Sequence, residues 1–444
     1  MLVVGASSKA LIWTQAVFIE PTTQRIIFFC VAFYTFLFII FQAKLKKIDL
    51  ISMTNPNLLL LIVLIIGVLV YTLNYESLTR SEDALVWLAG VMLGQAAALC
   101  KVLEQRKAGL SLKIIGILSL FLSIASLCNT DYDQVRYLGR IRWSGVWHDP
   151  NIFGFLMGVG ITLTVGFGLQ AMRKAPVQKE GITAWRSILW KHKMAILFFI
   201  MITLMGCGLA CSYSRGAWFA TFSGLVYLLH FAARGLAPER TFMSSFSWLS
   251  RNWPSLFAIL ICAIVLAFWN FRQTEWRPLH RLFSVGNQND FSWRNRVSAW
   301  NGALQITVEH PLCGVGWNRP EPMYAQYYCT SRVIEDAAIQ VNDWLFIGDA
   351  LGIPALLCLA TYVWLRLTQT PKRSIESRNP LSTADWIEVT SRAGAIVLLV
   401  GFWFNGGLFK LGTSAAFWIL LELGGANLVQ DTTTEKSKAN VTIV

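Results

Sequence analysis

The stretch MAILFFIMITLMGCGLACSYSRGAWFATFSGLVYLLHFAA, residues 194–233, contains two long apolar runs on either side of a short polar turn. Each run has about 18 residues, which is enough to cross a ~30 Å hydrocarbon core as a helix. A backbone in lipid must satisfy its own hydrogen bonds, so we expect both runs to be helical. Arg215, which is permanently charged, lies in the turn between them. The stretch therefore predicts two membrane-spanning helices joined by a tight turn that carries an arginine.

The composition extends this pattern to the whole chain. Of 444 residues, 55% are hydrophobic and 14% are charged, and the mean hydropathy is +0.50. The formal net charge of +13 would suggest nucleic acid as the partner of a soluble protein, but here it is spread over loops, where topology and anionic lipids account for it. The nineteen tryptophans suit a protein with two membrane interfaces. We expect an integral membrane protein with no cleavable signal peptide and no nucleic-acid partner.

The apolar runs predict an all-α integral membrane protein with about 11–12 transmembrane helices. One large loop separates the spans near 254–271 and 344–366. The predicted spans are 26–42, 57–74, 84–103, 109–128, 151–172, 194–211, 216–233, 254–271, 344–366, 391–408 and 411–428. Residues 2–19 are the candidate for a twelfth span.

Lysine-containing loops alternate along the chain and mark the cytoplasmic side by the positive-inside bias. These loops are 44–47, 101–107, 173–193 and 371–378. The opposite side then holds 129–150, the Arg215 turn and the long loop 272–342. The predicted units are an N-terminal transmembrane bundle (1–271), the large outer loop with part of the functional site (272–342), C-terminal transmembrane helices (343–428) and a disordered cytoplasmic tail (429–444).

The three outer segments share an unusual bias, because they contain eleven arginines and no lysine. The arginines are Arg136, Arg140, Arg142, Arg215, Arg272, Arg277, Arg281, Arg294, Arg296, Arg319 and Arg332. Lysine and arginine anchor an interface about equally well, whereas the planar guanidinium holds a phosphate or carboxylate through two parallel hydrogen bonds. Most of these arginines are expected to be solvated or paired with nearby carboxylates. At least two of them are candidates for converging on an anionic ligand.

Three outer segments, taken in order, carry a resemblance to a known family. RWSGVWHDPNIFGFLMGVGI (142–161) has a glycine and a Pro-Asn pair that open a membrane helix, and SYSRGAWFA (212–220) has a Ser-Arg-Gly turn. RNRVSAWNGALQITVEHPLCGVGWN (294–318) has an Arg and a Trp four apart and a His-Pro-x-x-Gly-x-Gly segment, and VNDWLFIGDALGIPALL (341–357) has an asparagine before a helix. Over roughly residues 140 to 360, the chain resembles the O-antigen ligase and O-antigen polymerase (Wzy-type) superfamily of bacterial membrane glycosyltransferases.

The resemblance implies a GT-C-like membrane enzyme that moves a glycan from undecaprenyl diphosphate to a hydroxyl acceptor. The acceptor is lipid A-core in the ligases and another lipid-linked glycan in the polymerases, so lipopolysaccharide and exopolysaccharide are both candidate products. It also implies a multi-pass protein of the bacterial inner membrane whose active site faces the periplasm. Membrane lipids and polysaccharide assembly proteins are further expected partners, and neither a cofactor nor a metal ion is expected.

The resemblance also implies roles for particular residues. Arg215 and Arg296 are the expected catalytic cations, which would stabilise the leaving diphosphate. The expected substrate-binding residues are Arg142, Arg294, Trp300, Asn342 and His310. A structural interpretation stays open beside each role: Arg215 as an interface arginine, Asn342 as a helix cap and His310 as a loop-shaping residue.

Two further residues belong to helix starts. Asn151 is predicted to cap the span 151–172, because it follows Asp149 and Pro150 and precedes an uninterrupted apolar run. Asp343 lies in the first turn of the span that follows Asn342, where the helix dipole favours a carboxylate.

One departure from the family pattern concerns the proton acceptor. Val341 stands where the ligases have a histidine before the asparagine, and valine cannot accept a proton. Asp343 is the candidate to replace it as a catalytic residue; the other candidates are Asp336, Glu335, His310 and His148. Alternatively the reaction depends on leaving-group departure and positioning alone, or the chain is a divergent or non-catalytic member of a polysaccharide assembly complex.

A secondary transporter is the alternative from another functional class. It requires ionisable residues near the bilayer midplane and internal repeats. Lys113 and Asp349 are the charges that we place well inside predicted spans, and no internal repeat is visible. Cys313 and Cys329 share the outer loop and are candidates for a disulfide in an oxidising compartment. No sequence motif indicates a metal site or a nucleotide-binding loop.

Overall fold

A computed structural model gives the fold of the chain. It describes residues 21–45, 55–73, 82–103, 105–128, 134–137, 140–145, 149–173, 182–235, 291–317, 319–328, 342–368 and 383–425. Several predicted features lie outside these ranges: the spans 2–19 and 254–271, the loop residues 272–290 and the tail 429–444.

Helices make up nearly all of the described chain. In order they are α1 (Pro21–Leu45), α2 (Pro56–Leu73), α3 (Glu82–Leu103), α4 (Gln105–Cys128), α5 (Pro150–Arg173), α6 (Ile182–Cys211), α7 (Arg215–Gly235), α8 (Phe291–Glu309), α9 (Pro320–Met323), α10 (Asp343–Leu351), α11 (Ile353–Thr368), α12 (Thr383–Gly401) and α13 (Leu411–Gly424). A π-helical turn, Tyr324–Tyr328, follows α9 directly. Between α4 and α5, β1 (Gln134–Tyr137) and β2 (Arg140–Trp143) form a two-stranded antiparallel hairpin in which Val135 is opposite Arg142.

The chain is an all-α integral membrane protein, as predicted, apart from this hairpin. Four stretches within the helices are long and apolar enough to cross a membrane: Arg25–Lys44, Pro56–Leu73, Asp83–Lys101 and Pro150–Ala171. Four shorter apolar stretches accompany them: Gly109–Phe121, Ile196–Cys211, Ile353–Thr368 and Leu411–Gly424. The hairpin was not predicted, because strands of four residues carry too little periodicity to be recognised.

Several predicted spans have different bounds in the structure; α6, for example, begins at Ile182 and not at residue 194. The span 344–366 is divided into α10 and α11 at Gly352, whose φ of 86° lies in the left-handed region. A side chain at Gly352 would also place a Cβ atom 2.5 Å from the carbonyl oxygen of Leu312, so glycine is required here for two reasons. The span 391–408 ends earlier than predicted, because α12 stops at Gly401 and residues 402–410 form a loop.

Small residues allow the central helices of the bundle to approach closely. A Cβ atom at Gly154 of α5 would lie 2.7 Å from the Cβ of Ala217 in α7, and one at Gly94 of α3 would lie 2.9 Å from Trp418 in α13. Such contacts between small residues bring backbones together in membrane bundles, where packing is a main source of helix association. They hold α5 against α7 at the point where the turn before α7 meets the start of α5.

A group of buried charges corrects the expectation that Lys113 and Asp349 are the charges inside the spans. Asp349 is indeed buried, but Lys113 is exposed. Lys101 of α3 pairs with Glu388 of α12 at 2.8 Å, and Arg366 of α11 pairs with Glu422 of α13 at 3.1 Å. Arg392 of α12 is also buried, and its Nε donates to the carbonyl oxygen of Gly424 at 2.6 Å. Arg392 and Glu422 lie within predicted spans, so their burial among partners from other helices was not visible in a linear pattern.

These charges lie around the C-terminal end of α13. Lys101 Nζ also donates to the carbonyl oxygens of Leu423 and Gly425, at 2.8 and 2.7 Å. Cations are favoured at the C-terminus of a helix, where carbonyl groups have no intrahelical partner. The opposite end of α13 begins just after the 402–410 loop, so the charge cluster and this loop lie at opposite ends of the bundle. We call the end that carries the loop the loop end.

Candidate functional site at the loop end

The turn between α6 and α7 is a compact structure that begins α7 at Arg215. Ser214 caps α7, because its Oγ accepts the backbone N–H of Ala217 at 3.3 Å. Ser212 Oγ accepts the N–H of Ser214 at 3.2 Å, and Tyr213 between them has a φ of 49°. A positive φ is unusual for a tyrosine, so the surrounding hydrogen bonds hold the turn in this conformation. Arg215 is consequently presented at a defined position, as the first residue of the helix.

Arg215 adds a positive charge to a helix end that is already positive. The N-terminus of a helix carries a partial positive charge and unpaired N–H groups, which makes it unfavourable for a cation and favourable for an anion. Arg142 of the hairpin lies against the same turn, since its Nε donates to the carbonyl oxygen of Ser212 at 2.9 Å. Both arginines are partly exposed. The turn thus combines two guanidinium groups with a helix N-terminus.

The start of α5 supports this turn, but not through the cap that we predicted. Asp149, not Asn151, caps α5, because its Oδ1 accepts the N–H of Asn151 at 2.8 Å and lies 3.4 Å from the N–H of Ile152. Asn151 is the second residue of the helix, and its Oδ1 accepts a hydrogen bond from Ser214 Oγ at 2.7 Å. Pro150 takes the first helical position, where proline is favoured, and this moves the cap one residue before it.

The 402–410 loop connects the parts of the site. The backbone N–H of Asp343 donates to the carbonyl oxygen of Phe402 at 3.0 Å. In return, Asp343 Oδ2 accepts the N–H groups of Gly407 and Leu408, at 2.8 and 2.7 Å. The start of α10 therefore holds both ends of the loop.

The same loop reaches α5 and α8. Asn405 Nδ2 donates to Asp149 Oδ2 at 2.8 Å. Arg296 of α8 donates from Nε to the carbonyl oxygen of Phe404 at 3.2 Å. The Phe404 side chain in turn packs on α7, where a Cβ atom at Gly216 would lie 2.8 Å from the Cβ of Phe404.

These contacts place Arg215 and Arg296 in one neighbourhood. Arg296 binds the backbone of Phe404, and Gly216, which follows Arg215 directly, contacts its side chain. The ring of Phe404 also makes an edge-to-face contact with Phe219, one turn further along α7. Arg296 and Gly216, the residue after Arg215, thus contact the same loop residue although they are far apart in sequence.

Asn342 is predicted to bind substrate and Asp343 to act as the base, but the structure gives both residues other surroundings. Asn342 caps α10, since its Oδ1 accepts the N–H groups of Trp344 and Leu345 at 3.0 and 3.2 Å, and it is 1% exposed. Asp343 is 0% exposed. A carboxylate without exposed surface, which already binds two backbone N–H groups, cannot reach a substrate hydroxyl in this conformation. The structure assigns Asp343 to holding the loop.

The candidate residues on α8 and just after it differ in exposure and in their distance from Arg296. Arg294 is exposed, whereas Arg296 is partly buried. Trp300, one turn after Arg296, is partly buried and stacks edge to face on Trp293 with ring centroids 5.9 Å apart. His310 follows the last residue of α8, so with a rise of 1.5 Å per residue it lies roughly 20 Å from Arg296 along the helix. The structure does not bring His310 to the two arginines.

The segment after α8 folds back on that helix. The hydroxyl oxygens of Ser298 and Tyr324 are 3.1 Å apart, and Tyr328 donates to the carboxylate of Glu309. The latter hydrogen bond, which favours the protonated phenol, raises the pKa of Tyr328 to about 12. The phenol is therefore neutral at ordinary pH and contributes as a hydrogen-bond donor.

Several predicted residues lie outside the described ranges: His148, Val341, Glu335, Asp336 and Cys329. The effect of Val341 on the site and the Cys313–Cys329 disulfide therefore stay predictions. Within the described ranges there is no group of three or more His, Cys, Asp or Glu side chains arranged to hold a metal ion.

Sequence reasoning missed two parts of the site, the cap Asp149 and the 402–410 loop. The signal for the loop was present in Asn405-Gly406-Gly407, since Asn-Gly and Gly-Gly pairs are typical of turns. We assigned most of these residues to a span because phenylalanine, tryptophan and leucine surround them. The role of Asp149 depended on recognising Pro150 as the first residue of α5.

Comparison with known proteins supports the resemblance. A sequence model of the family described as O-antigen ligase matches residues 196–360. No curated protein matches the chain significantly. The matched range runs from α6 to α11 and includes Arg215, Arg296 and Asp343, whereas Asp149 and the 402–410 loop lie outside it. Residues 196–360 are therefore similar to the O-antigen ligase family, and this similarity supports the resemblance to the O-antigen ligase and polymerase superfamily.

Proposed function

We propose that the protein transfers a glycan from undecaprenyl diphosphate to a hydroxyl acceptor at the loop end of the bundle. The acceptor is a lipid A-core or another lipid-linked glycan. In this proposal the loop end faces the periplasm of a bacterial inner membrane, since Lys101, which belongs to one of the predicted cytoplasmic segments, lies at the other end of the bundle. Neither a cofactor nor a metal ion takes part in the proposed reaction.

The observation that carries the proposal is the position of Phe404 between two arginine-bearing helices. Arg296 donates to its carbonyl oxygen, and Gly216, next to Arg215, packs on its side chain. A lipid diphosphate that enters from the membrane meets this end of the bundle at headgroup depth. Two guanidinium groups and the N-terminus of α7 supply fixed positive charge at that depth.

The chemistry needs such charge at the moment of transfer. As the bond between the sugar C1 and the diphosphate oxygen breaks, negative charge grows on the leaving group. Cations that are already in place stabilise that charge without reorganisation, which lowers the barrier. Arg215 and Arg296 are the proposed catalytic residues. Arg142, bound to the same turn as Arg215, is the proposed third contact of the diphosphate.

Asp343 has a positioning role in this proposal. Its carboxylate holds the backbone of Gly407 and Leu408, and so it keeps Phe404 where Arg296 can bind it. Asn342 starts the same helix as its cap. Trp300 and Arg294 are proposed to contact the glycan from α8, on which they lie close to Arg296.

The two alternatives receive different support. A non-catalytic role in an assembly complex is favoured by Val341 in the sequence. Turnover by the purified protein would exclude this alternative. A secondary transporter needs charges that can exchange partners in the membrane. Lys101 instead binds Glu388 and the carbonyl oxygens of Leu423 and Gly425, which uses all three of its N–H donors. This arrangement is that of a fixed structural cation.

The proposed function is tested by single substitutions in a strain that lacks the native gene. Arg215→Lys and Arg296→Lys keep the charge and lose the bidentate fork, and we expect transfer to fall by about 100-fold or more. Carrier-bound glycan should then accumulate and surface polysaccharide should disappear. Arg319→Lys, at an exposed arginine directly before α9 to which no role is assigned, is the matched control and should complement fully. Full activity of both Arg215→Lys and Arg296→Lys would show that the diphosphate is not held at these sites.

A further inference from the structure

The proposed transfer requires an acceptor for the proton of the attacking hydroxyl. Asp343 has no exposed surface, and His310 lies at the far end of α8. The feature that meets the requirement is Asp149, a partly exposed carboxylate at the start of α5. From the sequence, Asp149 is only one of the residues that precede the predicted cap, Asn151.

The two oxygens of Asp149 have different surroundings. Oδ1 accepts the N–H of Asn151 at 2.8 Å and so caps the helix. Oδ2 accepts the side-chain amide of Asn405 at 2.8 Å. A carboxylate oxygen offers about two lone-pair sites, so Oδ2 can accept one more hydrogen bond or a proton. The side chain is fixed by both contacts while part of it faces solvent.

Asp149 is connected to each of the two arginines by a short series of contacts. On one side, Asp149 binds Asn405. The residue before Asn405 is Phe404, whose carbonyl oxygen accepts a hydrogen bond from Arg296 Nε. On the other side, Asn151, two residues after Asp149, accepts a hydrogen bond from Ser214, which directly precedes Arg215. The carboxylate therefore belongs to the same contact network as the two cations that would hold the diphosphate.

We infer that Asp149 is the proton acceptor of the transfer, an assignment that rests on the function proposed above. The acceptor hydroxyl attacks the sugar C1 and forms the new glycosidic C–O bond as its O–H bond breaks. The proton goes to Asp149 Oδ2. The bond from C1 to the diphosphate oxygen breaks, and undecaprenyl diphosphate leaves with the electron pair, held by Arg215 and Arg296. The protonated Asp149 then releases its proton to water.

Asp149 takes the place that a histidine fills in the ligases. A carboxylate and an imidazole both accept a proton from a hydroxyl in the transition state. In this chain the acceptor would come from the start of α5, which contacts the 402–410 loop at Asn405, whereas α10 contacts it at Phe402, Gly407 and Leu408. The exchange at Val341 is then compatible with a working transferase.

The competing explanation is that Asp149 only caps α5, and two substitutions separate the roles. Asp149→Asn and Asp149→Ser both keep a side-chain oxygen that can cap the helix, and neither can take up the proton. Asn405 can reverse its amide to pair with either the carboxylate or an asparagine. Asp149→Asn also keeps the contact with Asn405, so a structural role predicts that this variant is active, whereas a proton acceptor predicts that both variants are inactive.

The test uses the full chain in lipid nanodiscs, with undecaprenyl diphosphate as the binding probe, and the complemented deletion strain for transfer. We expect Asp149→Asn and Asp149→Ser to bind undecaprenyl diphosphate as the wild type does, because both arginines remain. Transfer should fall by about 100-fold or more, which is the usual contribution of a general base. Arg215→Lys should lose both binding and transfer.

The possible results separate the inference from the proposed function. Full transfer by Asp149→Asn overturns the inference, and so does the failure of both variants to fold, since the carboxylate is then structural. If Arg215→Lys is inactive in the same experiment, the proposed function stands without Asp149. If deletion of the gene leaves carrier-bound glycan and surface polysaccharide unchanged, the proposed function fails and the inference fails with it.

Discussion

Arg296 donates a hydrogen bond from Nε to the carbonyl oxygen of Phe404 at 3.2 Å, across 108 residues of sequence. This contact joins α8, inside the range that matches the O-antigen ligase family, to a loop outside that range. It makes the 402–410 loop part of the candidate site. Four predictions test how this site and the bundle beneath it are held together.

The first prediction concerns the contact between α7 and the loop. In Gly216→Ala the new Cβ atom meets the Cβ of Phe404, at 2.8 Å in the present positions, so Phe404 must move. We expect a loss of about 1–3 kcal/mol in the free energy of unfolding, as for other overpacked sites. Transfer should also fall, because the acceptor of Arg296 moves with Phe404. Gly206→Ala in α6 is the control, since its Cβ would have no described heavy atom within 4 Å. Equal behaviour of the two variants in thermal unfolding and transfer would contradict the prediction.

The second prediction separates the two roles considered for Asp343. Asp343→Asn keeps one oxygen for the N–H groups of Gly407 and Leu408, so transfer should remain close to that of the wild type. Asp343→Ala leaves both N–H groups buried without an acceptor, which costs about 1–3 kcal/mol for each. Thermal unfolding in detergent measures the difference, and the same samples give transfer rates. A stable but inactive Asp343→Asn protein would restore Asp343 as the base.

The third prediction concerns the charge cluster at the other end of the bundle. Lys101→Met leaves Glu388 buried without its cation, and breaking such a pair from one side costs about 3–5 kcal/mol. The double variant Lys101→Met with Glu388→Gln should recover part of this loss, because no charge is then left buried alone. Lys113→Met, which alters an exposed lysine of α4, is the control and should not lose stability. If Lys101→Met is as stable as the control, the pair contributes little to the bundle.

The fourth prediction concerns the turn that carries Arg215. Ser214→Ala removes both the cap of α7 and the hydrogen bond to Asn151. We expect a loss of about 1–3 kcal/mol in the free energy of unfolding, from one cap and one hydrogen bond. Affinity for undecaprenyl diphosphate should weaken as well, because Arg215 is less firmly held. Ser223→Ala is the control on the same helix, since Ser223 Oγ bonds only to the carbonyl oxygen of Phe219 four residues earlier. Unchanged affinity in Ser214→Ala would mean that the turn does not position the arginine.

The sequence was a good guide to the helices and a partial guide to the site. Runs such as 57–74 and 151–172 closely match α2 and α5, because a span needs a long apolar segment that is visible without any tertiary contact. The division at Gly352 was missed, since the apolar residues on both sides of it continue the same pattern. The arginine bias drew attention to Arg215 and Arg296, but it could not show that Phe404 would contact both Arg296 and the residue after Arg215.

Polar residues inside the bundle were the hardest to interpret. Arg392 and Glu422 each interrupt an apolar run, and in isolation each would be costly in lipid. Their partners, Gly424 and Arg366, come from other helices or from a helix end. A linear pattern contains no information about such pairs, which form only when the helices pack.

By itself, the sequence determined that this protein is a helical membrane protein, and that arginines rather than lysines occupy the turns predicted to lie on the outer side. The reason is that a long apolar segment avoids water and must satisfy its own backbone hydrogen bonds in lipid. Both properties can be read from a local stretch of sequence. The tertiary structure alone decided that the 402–410 loop contacts Asp149, Arg296 and the start of α7, and that Asp343 is buried. Those outcomes depend on which helix ends come together, and close packing of distant segments sets that arrangement.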